Sequence, residues 1–169
     1  MDPFDYFKPP AAQPARTRDV RLVPARLTMN LLEQGMTRAG LFWSRPTIDS
    51  IVTFWDETPS GPGLVMAIGP DAEMPRPILW SCSRDTLLCR ADEDLITFTH
   101  NTRRRIQAIT NDWNATEAWP CAALTFEETL RASIRVPLFS GTNLLELSVL
   151  CTLMSRSIGD FYTAAMTQE

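Results

Sequence analysis

Nucleophilic catalysis by this chain would have to use its single histidine, His100. A cysteine nucleophile needs a base that takes its proton, so Cys89 or Cys121 beside His100 would be the expected arrangement. Nothing in the sequence brings these residues together, and a histidine at the surface or at a strand end is the commoner outcome. The chain also lacks a glycine-rich phosphate loop and the Gly-x-Ser-x-Gly and His-Glu-x-x-His motifs. We therefore predict a protein that is not an enzyme and has no catalytic residues.

Metal binding has two candidate ligand sets, and neither has suitable spacing. The four cysteines, Cys82, Cys89, Cys121 and Cys151, are widely spaced, whereas a zinc site needs three or four ligands in compact spacing. The run Asp92-Glu93-Asp94 could hold a divalent cation through carboxylate oxygens, but adjacent carboxylates on a turn cannot all point at one ion. We predict reduced thiols, a solvated acidic turn, and no metal or cofactor.

A run of three arginines, Arg103, Arg104 and Arg105, falls in the first turn of a predicted helix. The helix dipole disfavours cations there, and the chain as a whole has a net charge of −4. Two interpretations are open: the run binds an anionic membrane surface or an acidic protein face, or it is a solvated turn. The negative net charge argues against general nucleic-acid binding, so no specific nucleic-acid partner is expected.

The first 18 residues, MDPFDYFKPPAAQPARTR, combine prolines with aromatic residues. We predict that residues 1–18 form a disordered, proline-rich arm that binds a partner, because prolines limit the entropy lost on docking and aromatic rings provide anchors. The expected contact residues are Phe4, Tyr6, Phe7, Pro9 and Pro10.

Five tryptophans are many for 169 residues, and most are expected to anchor the core. Trp113 and Trp119 flank a polar loop. They are the predicted members of a partly exposed interface patch.

These residues must be positioned by the folded part of the chain. We predict that residues 19–169 form a single α+β domain, in which an antiparallel sheet packs with two to four helices. The segment 44–57, SRPTIDSIVTFWDE, has helical spacing, although its β-branched content also fits a strand. A second helix is predicted to begin at Asn101 or Thr102 and to include Trp113.

The last predicted helix covers residues 143–166. Asn143 and Glu146 have the spacing of a capping box. A helical stripe follows, formed by Leu147, Leu150, Cys151, Met154, Ile158, Phe161 and Ala165. The first half also alternates as a strand would, through Leu145, Leu147, Val149, Cys151 and Leu153.

Strands are predicted for six further stretches by their alternation or by short apolar runs. The first covers residues 19–32, interrupted at Pro24, and the last covers 129–138. The others are the runs GLVMAIG, PILWSCS, TLLCR and LITFTH, with turns at 83–85 and 91–94. Thr125 could instead begin a short helix, because TFEET resembles a capping box.

The order of these features resembles the matrix proteins of rhabdovirus-type negative-strand RNA viruses. Residues 45–69 are similar in having a helix that ends at Trp55-Asp56 and leads through a Gly/Pro loop into an apolar strand. Residues 135–149, RVPLFSGTNLLELSV, are similar to the family's late strand, so the resemblance favours a strand at 142–150. Together these stretches cover about a quarter of the chain.

The resemblance implies a non-enzymatic, self-assembling protein that forms homo-oligomers, links membrane and nucleocapsid, and supports budding. It places the protein in the host cytoplasm, at the inner membrane face and in the virion. The family's arm recruits a host protein, but neither P-P-x-Y nor P-[ST]-A-P occurs here.

An intracellular adaptor or regulatory module is the alternative function. Such a module would bind a protein partner through the arm and the arginine run. The chain has no secretion signal at its start and no apolar run of the ~18 residues needed to span a bilayer. We therefore expect an intracellular protein without a transmembrane helix.

Overall fold

The structure is a computed structural model that describes residues 23–55, 76–83 and 85–166. The predicted arm, residues 1–18, and the predicted strand at 63–69 lie outside the described residues.

A six-stranded antiparallel sheet is the centre of the fold, with the strand order β1-β2-β3-β4-β6-β5. The strands are β1 (Trp43–Thr47), β2 (Ser50–Trp55), β3 (Arg76–Ser83), β4 (Thr86–Asp94), β5 (Cys121–Leu124) and β6 (Thr129–Pro137). Three helices occur in the described residues: α1 (Met29–Ala39), α2 (His100–Thr116) and α3 (Leu144–Met166). The prediction of an α+β fold, with an antiparallel sheet and two to four helices, is confirmed.

Buried and half-buried residues alternate along the central strands, and the buried ones mark the face of the sheet that the helices cover. In β4, Leu87, Cys89 and Ala91 are buried, and the residues between them are half-buried. Helix α3 lies on the buried face, where the Tyr162 hydroxyl lies 2.9 Å from the carbonyl oxygens of both Ala91 and Leu130. The core therefore sits between α3 and strands β4 and β6.

The capping box predicted for α3 is present. Asn143 Oδ1 accepts from the Glu146 N–H at 2.9 Å, and Glu146 Oε2 accepts from the Asn143 N–H at 3.2 Å. The predicted stripe is buried, apart from the half-buried Leu150. The helix predicted for 143–166 is confirmed, and the strand that the viral resemblance favours at 142–150 is wrong.

The predicted helix at 44–57 is also wrong in the residues described, and the strand alternative is correct. Residues 43–55 form the hairpin of β1 and β2, and β2 pairs with β3 from Ile51 opposite Trp80 to Trp55 opposite Arg76. Ile51 and Thr53 are buried while Val52 is only half-buried, which is the two-residue period of a strand.

The strand predicted for 19–32 is wrong where it overlaps α1. Thr28 caps this helix by accepting from the Leu31 N–H at 3.2 Å. Leu32 and Met36, four residues apart, are then fully buried on one helical face. Gly35, on the same face, lies so close to Leu147 that a Cβ there would be 2.9 Å from Leu147 Cγ.

Four local features around α2, β4 and β6 differ from the prediction. The run at 95–100 is a turn rather than a strand, and Thr99, not Asn101 or Thr102, caps α2 by accepting from the Thr102 N–H at 3.2 Å. Strand β4 continues through the predicted turn at 91–94 because β6 pairs with it as far as Thr129. Thr125 begins a turn between β5 and β6 instead of a helix.

The remaining strand predictions are confirmed. PILWSCS lies in β3, TLLCR lies in β4, and the 129–138 strand is β6. The β3–β4 hairpin closes with Ser83 opposite Thr86, and its described turn residue, Asp85, has a φ of 62°.

The chain enters the described fold beside the start of α3. Ala25 and Thr142 form an isolated antiparallel bridge with two N–H to carbonyl bonds, of 2.8 and 2.9 Å. Gly141 has a φ of +78°, and a Cβ at this position would lie 2.8 Å from the Ala25 carbonyl oxygen. Glycine is therefore required both for the backbone conformation and for the close approach of the two segments.

We expect Gly141→Ala to lower the free energy of unfolding by about 2–3 kcal/mol, because it adds a crowded contact to the cost of a left-handed alanine. Urea denaturation monitored by tryptophan fluorescence measures this loss. Gly40→Ala is the control, since Gly40 has a similar φ of 74° without the contact to Ala25. Equal losses in the two variants would show that the approach to Ala25 does not matter.

Candidate functional site

The structure does not bring together His100 and the two cysteines that a nucleophilic mechanism would need. His100 is exposed in the first turn of α2, and Cys121 is exposed at the start of β5, beyond the other end of that helix. A helix of 17 residues is about 25 Å long, so the two side chains lie at opposite ends of it. Cys89 is buried. Within the described ranges, no three His, Cys, Asp or Glu side chains are grouped so that they could hold a metal.

The two buried thiols are unsuited to nucleophilic chemistry. Burial raises the pKa of Cys89 well above its ordinary value of 9.0, and the neighbouring Cys151 raises it further. Burial also raises the pKa of Cys151, to about 12. Both thiols therefore stay protonated at neutral pH, and they serve as small apolar core residues.

At pH 8 we expect iodoacetamide to modify the exposed Cys121 in the folded chain and to spare Cys89 and Cys151 until the protein unfolds. An unfolded thiol ionises near pH 9.0, whereas folded Cys151 stays protonated to about pH 12. Stability should therefore fall as the pH rises through this interval. Mass spectrometry of labelled peptides reads out the first effect, and urea denaturation reads out the second. Equal labelling rates at Cys121 and Cys151 in the folded chain would contradict both expectations.

The arginine run does not form a patch of three equivalent cations. Arg103 forms an ion pair with Glu128, in the turn between β5 and β6, so it ties α2 to the sheet. Arg104 is exposed, whereas Arg105 is half-buried. The Nε atoms of Arg103 and Arg105 are buried without a hydrogen-bond partner among the described atoms. Of the three, Arg104 is the residue best placed to meet a partner.

Exposed apolar side chains and carboxylates surround this end of α2. The turns that carry Ile96 and Phe126 are joined by a bond of 2.9 Å from the Leu95 N–H to the Glu128 carbonyl. Ile96 is 63% exposed, and Phe126 is fully exposed. Asp94 and Glu127 are in the same two segments, so the surface has mixed charge.

Trp113 and Trp119, the predicted members of an interface patch, lie next to each other but make different contacts. The Trp113 indole N–H donates to the Trp119 carbonyl at 3.2 Å, and its ring packs edge-on against Phe161, with centroids 5.4 Å apart. Trp113 is therefore part of the contact between α2 and α3. Trp119 is 36% exposed and is the member of the pair that a partner could reach.

The largest unexpected feature is an apolar row on the outer face of α3. Leu145, Val149 and Leu153 are 42%, 50% and 49% exposed, respectively. They follow one another at intervals of four residues and therefore lie on one side of the helix. We call these three residues the outer stripe. A helix on the surface of a domain usually has charged and polar residues on that side.

The sequence contained a sign of the outer stripe. The strand-like alternation of apolar residues at 145, 147, 149, 151 and 153 exists because the helix has apolar residues on two faces. Leu147 and Cys151 belong to the buried face, and the other three belong to the outer stripe. The ambiguity between helix and strand therefore indicated an apolar outer face.

The surroundings of the outer stripe extend its apolar character at one end. Phe139, in the connection between β6 and α3, is 78% exposed, and Val23 is 55% exposed. Leu144, the residue before the stripe, lines a shallow groove of about 470 Å³ beside α1, together with Asn30 and Gln34.

No helix in the described ranges is both long enough and apolar enough to cross a membrane.

Comparisons with known proteins add information about the fold only. No family model matches the chain, and no curated protein matches it. Its structure is similar to the crystal structure of YbjN from E. coli, a proposed transcription regulator, with a TM-score of 0.58. The identity is 12%, and the similarity covers 86% of this chain and 96% of YbjN. Sequence identity this low supports a shared fold and no more.

The segments that carry the viral resemblance have a different secondary structure from the one that it implies. Residues up to Trp55 form strand β2 where the resemblance has a helix, and residues from Leu144 form helix α3 where it has a strand.

Proposed function

We propose that this chain is a non-enzymatic, protein-binding module of the adaptor or regulatory type, and that the outer stripe of α3 is its binding surface. The exposure of three large aliphatic side chains in one row carries the proposal. Full burial of such a side chain contributes about 1.5–3 kcal/mol, so covering the exposed half of each would contribute about 1 kcal/mol.

The rigidity of α3 makes this surface suitable for binding. The helix is capped at its start by Asn143 and Glu146 and is held to the sheet by Tyr162. A partner would therefore meet a preformed apolar row and would not have to order it, which reduces the entropic cost of association. Amphipathic helices and apolar peptides recognise such rows in many complexes.

Two further observations agree with a binding role. His100 is not placed to act as a base for Cys89 or Cys121, so the structure offers no cysteine–histidine nucleophile in the described residues. YbjN, which has a similar fold, is described as a proposed transcription regulator, and the regulatory type is taken from that description.

Binding of an anionic membrane by Arg103, Arg104 and Arg105 stays a prediction. The exposed Ile96 and Phe126 at that end favour it, because apolar loop tips beside arginines suit a lipid surface. The ion pair of Arg103 with Glu128, and the nearby carboxylates, reduce the positive charge available.

We expect a photo-reactive amino acid at position 149 to form covalent adducts with another polypeptide when the full chain is irradiated in the cells that make it. The same probe at Gln107, an exposed position on α2, is the control. Denaturing gels followed by mass spectrometry identify the adducts, and a homodimer would identify a second copy as the partner. If position 149 gives no more adducts than position 107, the proposed function is wrong.

A further inference from the structure

We infer that the aromatic segment of the N-terminal arm, with Phe4, Tyr6 and Phe7, is an intramolecular ligand of the outer stripe. This inference rests on the proposed function, because it names what covers the same surface while no partner is bound. The arm would then act as an autoinhibitory segment that a partner must displace.

The point at which the chain enters the fold supports this assignment. Ala25 pairs with Thr142, and Thr142 is only three residues before Leu145, the first residue of the outer stripe. The Arg26 guanidinium also bonds to Asp85 Oδ1 at 2.9 Å, which holds the entering segment at the same end of the sheet. The described part of the chain therefore begins beside the first turn of α3.

The arm is long enough to reach the whole stripe. Leu145 and Leu153 are separated by about 12 Å along the helix axis, at 1.5 Å per residue. A polyproline-like chain extends about 3.1 Å per residue, so the 16 steps from Val23 to Phe7 can span about 50 Å. A short tether of this kind holds its ligand at an effective concentration of order millimolar.

The chemistry of the two segments is complementary. The arm has three aromatic anchors, and the stripe has three aliphatic side chains. Asp2 and Asp5 flank the first anchor, and Arg156, which follows the stripe on the outer side of α3, has a 79% exposed side chain. The nearest carboxylate to Arg156 among the described residues is that of Asp160, at 3.8 Å, so the guanidinium is available to a closer anion.

Other segments of the chain are less well placed. The stretch 56–75 leaves β2 at Trp55 and enters β3 at Arg76, and these two residues are paired. That pair lies at the opposite end of the sheet from Pro137 and Thr142, since Ser83 and Thr86 close the other end of β3 beside Pro137.

Methyl resonances of the full chain test the contact directly. An aromatic ring packed over a methyl group shifts its resonance, so Val149 and at least one of Leu145 and Leu153 should have shifted methyl signals in the wild type. These signals should return to ordinary positions in the full-length triple variant Phe4→Ala/Tyr6→Ala/Phe7→Ala and should not change on dilution of the wild type. Phe126→Ala is the control, because Phe126 is an exposed ring in the turn between β5 and β6 and not part of the apolar surface around the outer stripe.

Methyl signals of Val149 that are identical in wild type and triple variant would overturn the inference. Signals that change on dilution would overturn it as well, since they would show that a second copy is the occupant.

The photo-crosslinking probe at position 149 separates this inference from the proposed function. Placed in the triple variant, the probe should give several-fold more partner adducts than in the wild-type arm, because the competitor is removed. Adducts without an arm contact in the methyl spectra would overturn the inference and leave the proposed function. An arm contact without adducts in either background would overturn the proposed function and its autoinhibition, and would leave only an intramolecular contact of the arm.

Discussion

The packing of α3 against β4 and β6 is the contact on which the rest of the fold depends. The Tyr162 hydroxyl lies within hydrogen-bonding distance of a carbonyl oxygen on each of these strands, and the whole inner face of α3 is buried. Both other helices also contact α3. Helix α1 approaches closely because Gly35 leaves room for Leu147, and α2 packs through Trp113 against Phe161.

The face of α3 that points away from the sheet carries aliphatic residues, and their exposure needs an explanation. Ordinary solvation would put charged residues at 145, 149 and 153, yet all three are aliphatic. The bridge from Ala25 to Thr142 brings the N-terminal part of the chain to the start of the same helix. The fold therefore brings the point where the described chain begins next to an apolar surface.

Much of the sheet and the last helix could be predicted from sequence because local pattern and final burial agree there. Strand β6 alternates cleanly, and Asn143 with Glu146 forms a capping box that needs only neighbouring residues. The first hairpin could not be predicted in this way. Ile48, Ile51, Val52 and Trp55 fit a helical face, but pairing with β3 overrides that spacing and leaves Ile48 in a turn, 76% exposed.

The candidate site was less predictable than the fold. The arginine run was visible, but the Glu128 partner of Arg103 comes from a turn far along the chain, so its neutralising contact was not visible. The outer stripe was present only as an ambiguity between helix and strand. Periodicity indicated the buried face of α3, but it did not show that the other apolar residues stay exposed, because that depends on what the sheet and α1 cover.

Carbene footprinting of the full chain is the most direct test of the central claim, that the N-terminal arm covers the outer stripe. Ile48 is a suitable internal reference, being an apolar residue that is 76% exposed in a turn. Val149 is 50% exposed in the described fold, so an uncovered stripe would be labelled roughly in proportion to that fraction. The account predicts labelling of Val149 several-fold below that proportion. Labelling in proportion to exposure would show that nothing covers the stripe and would contradict the account.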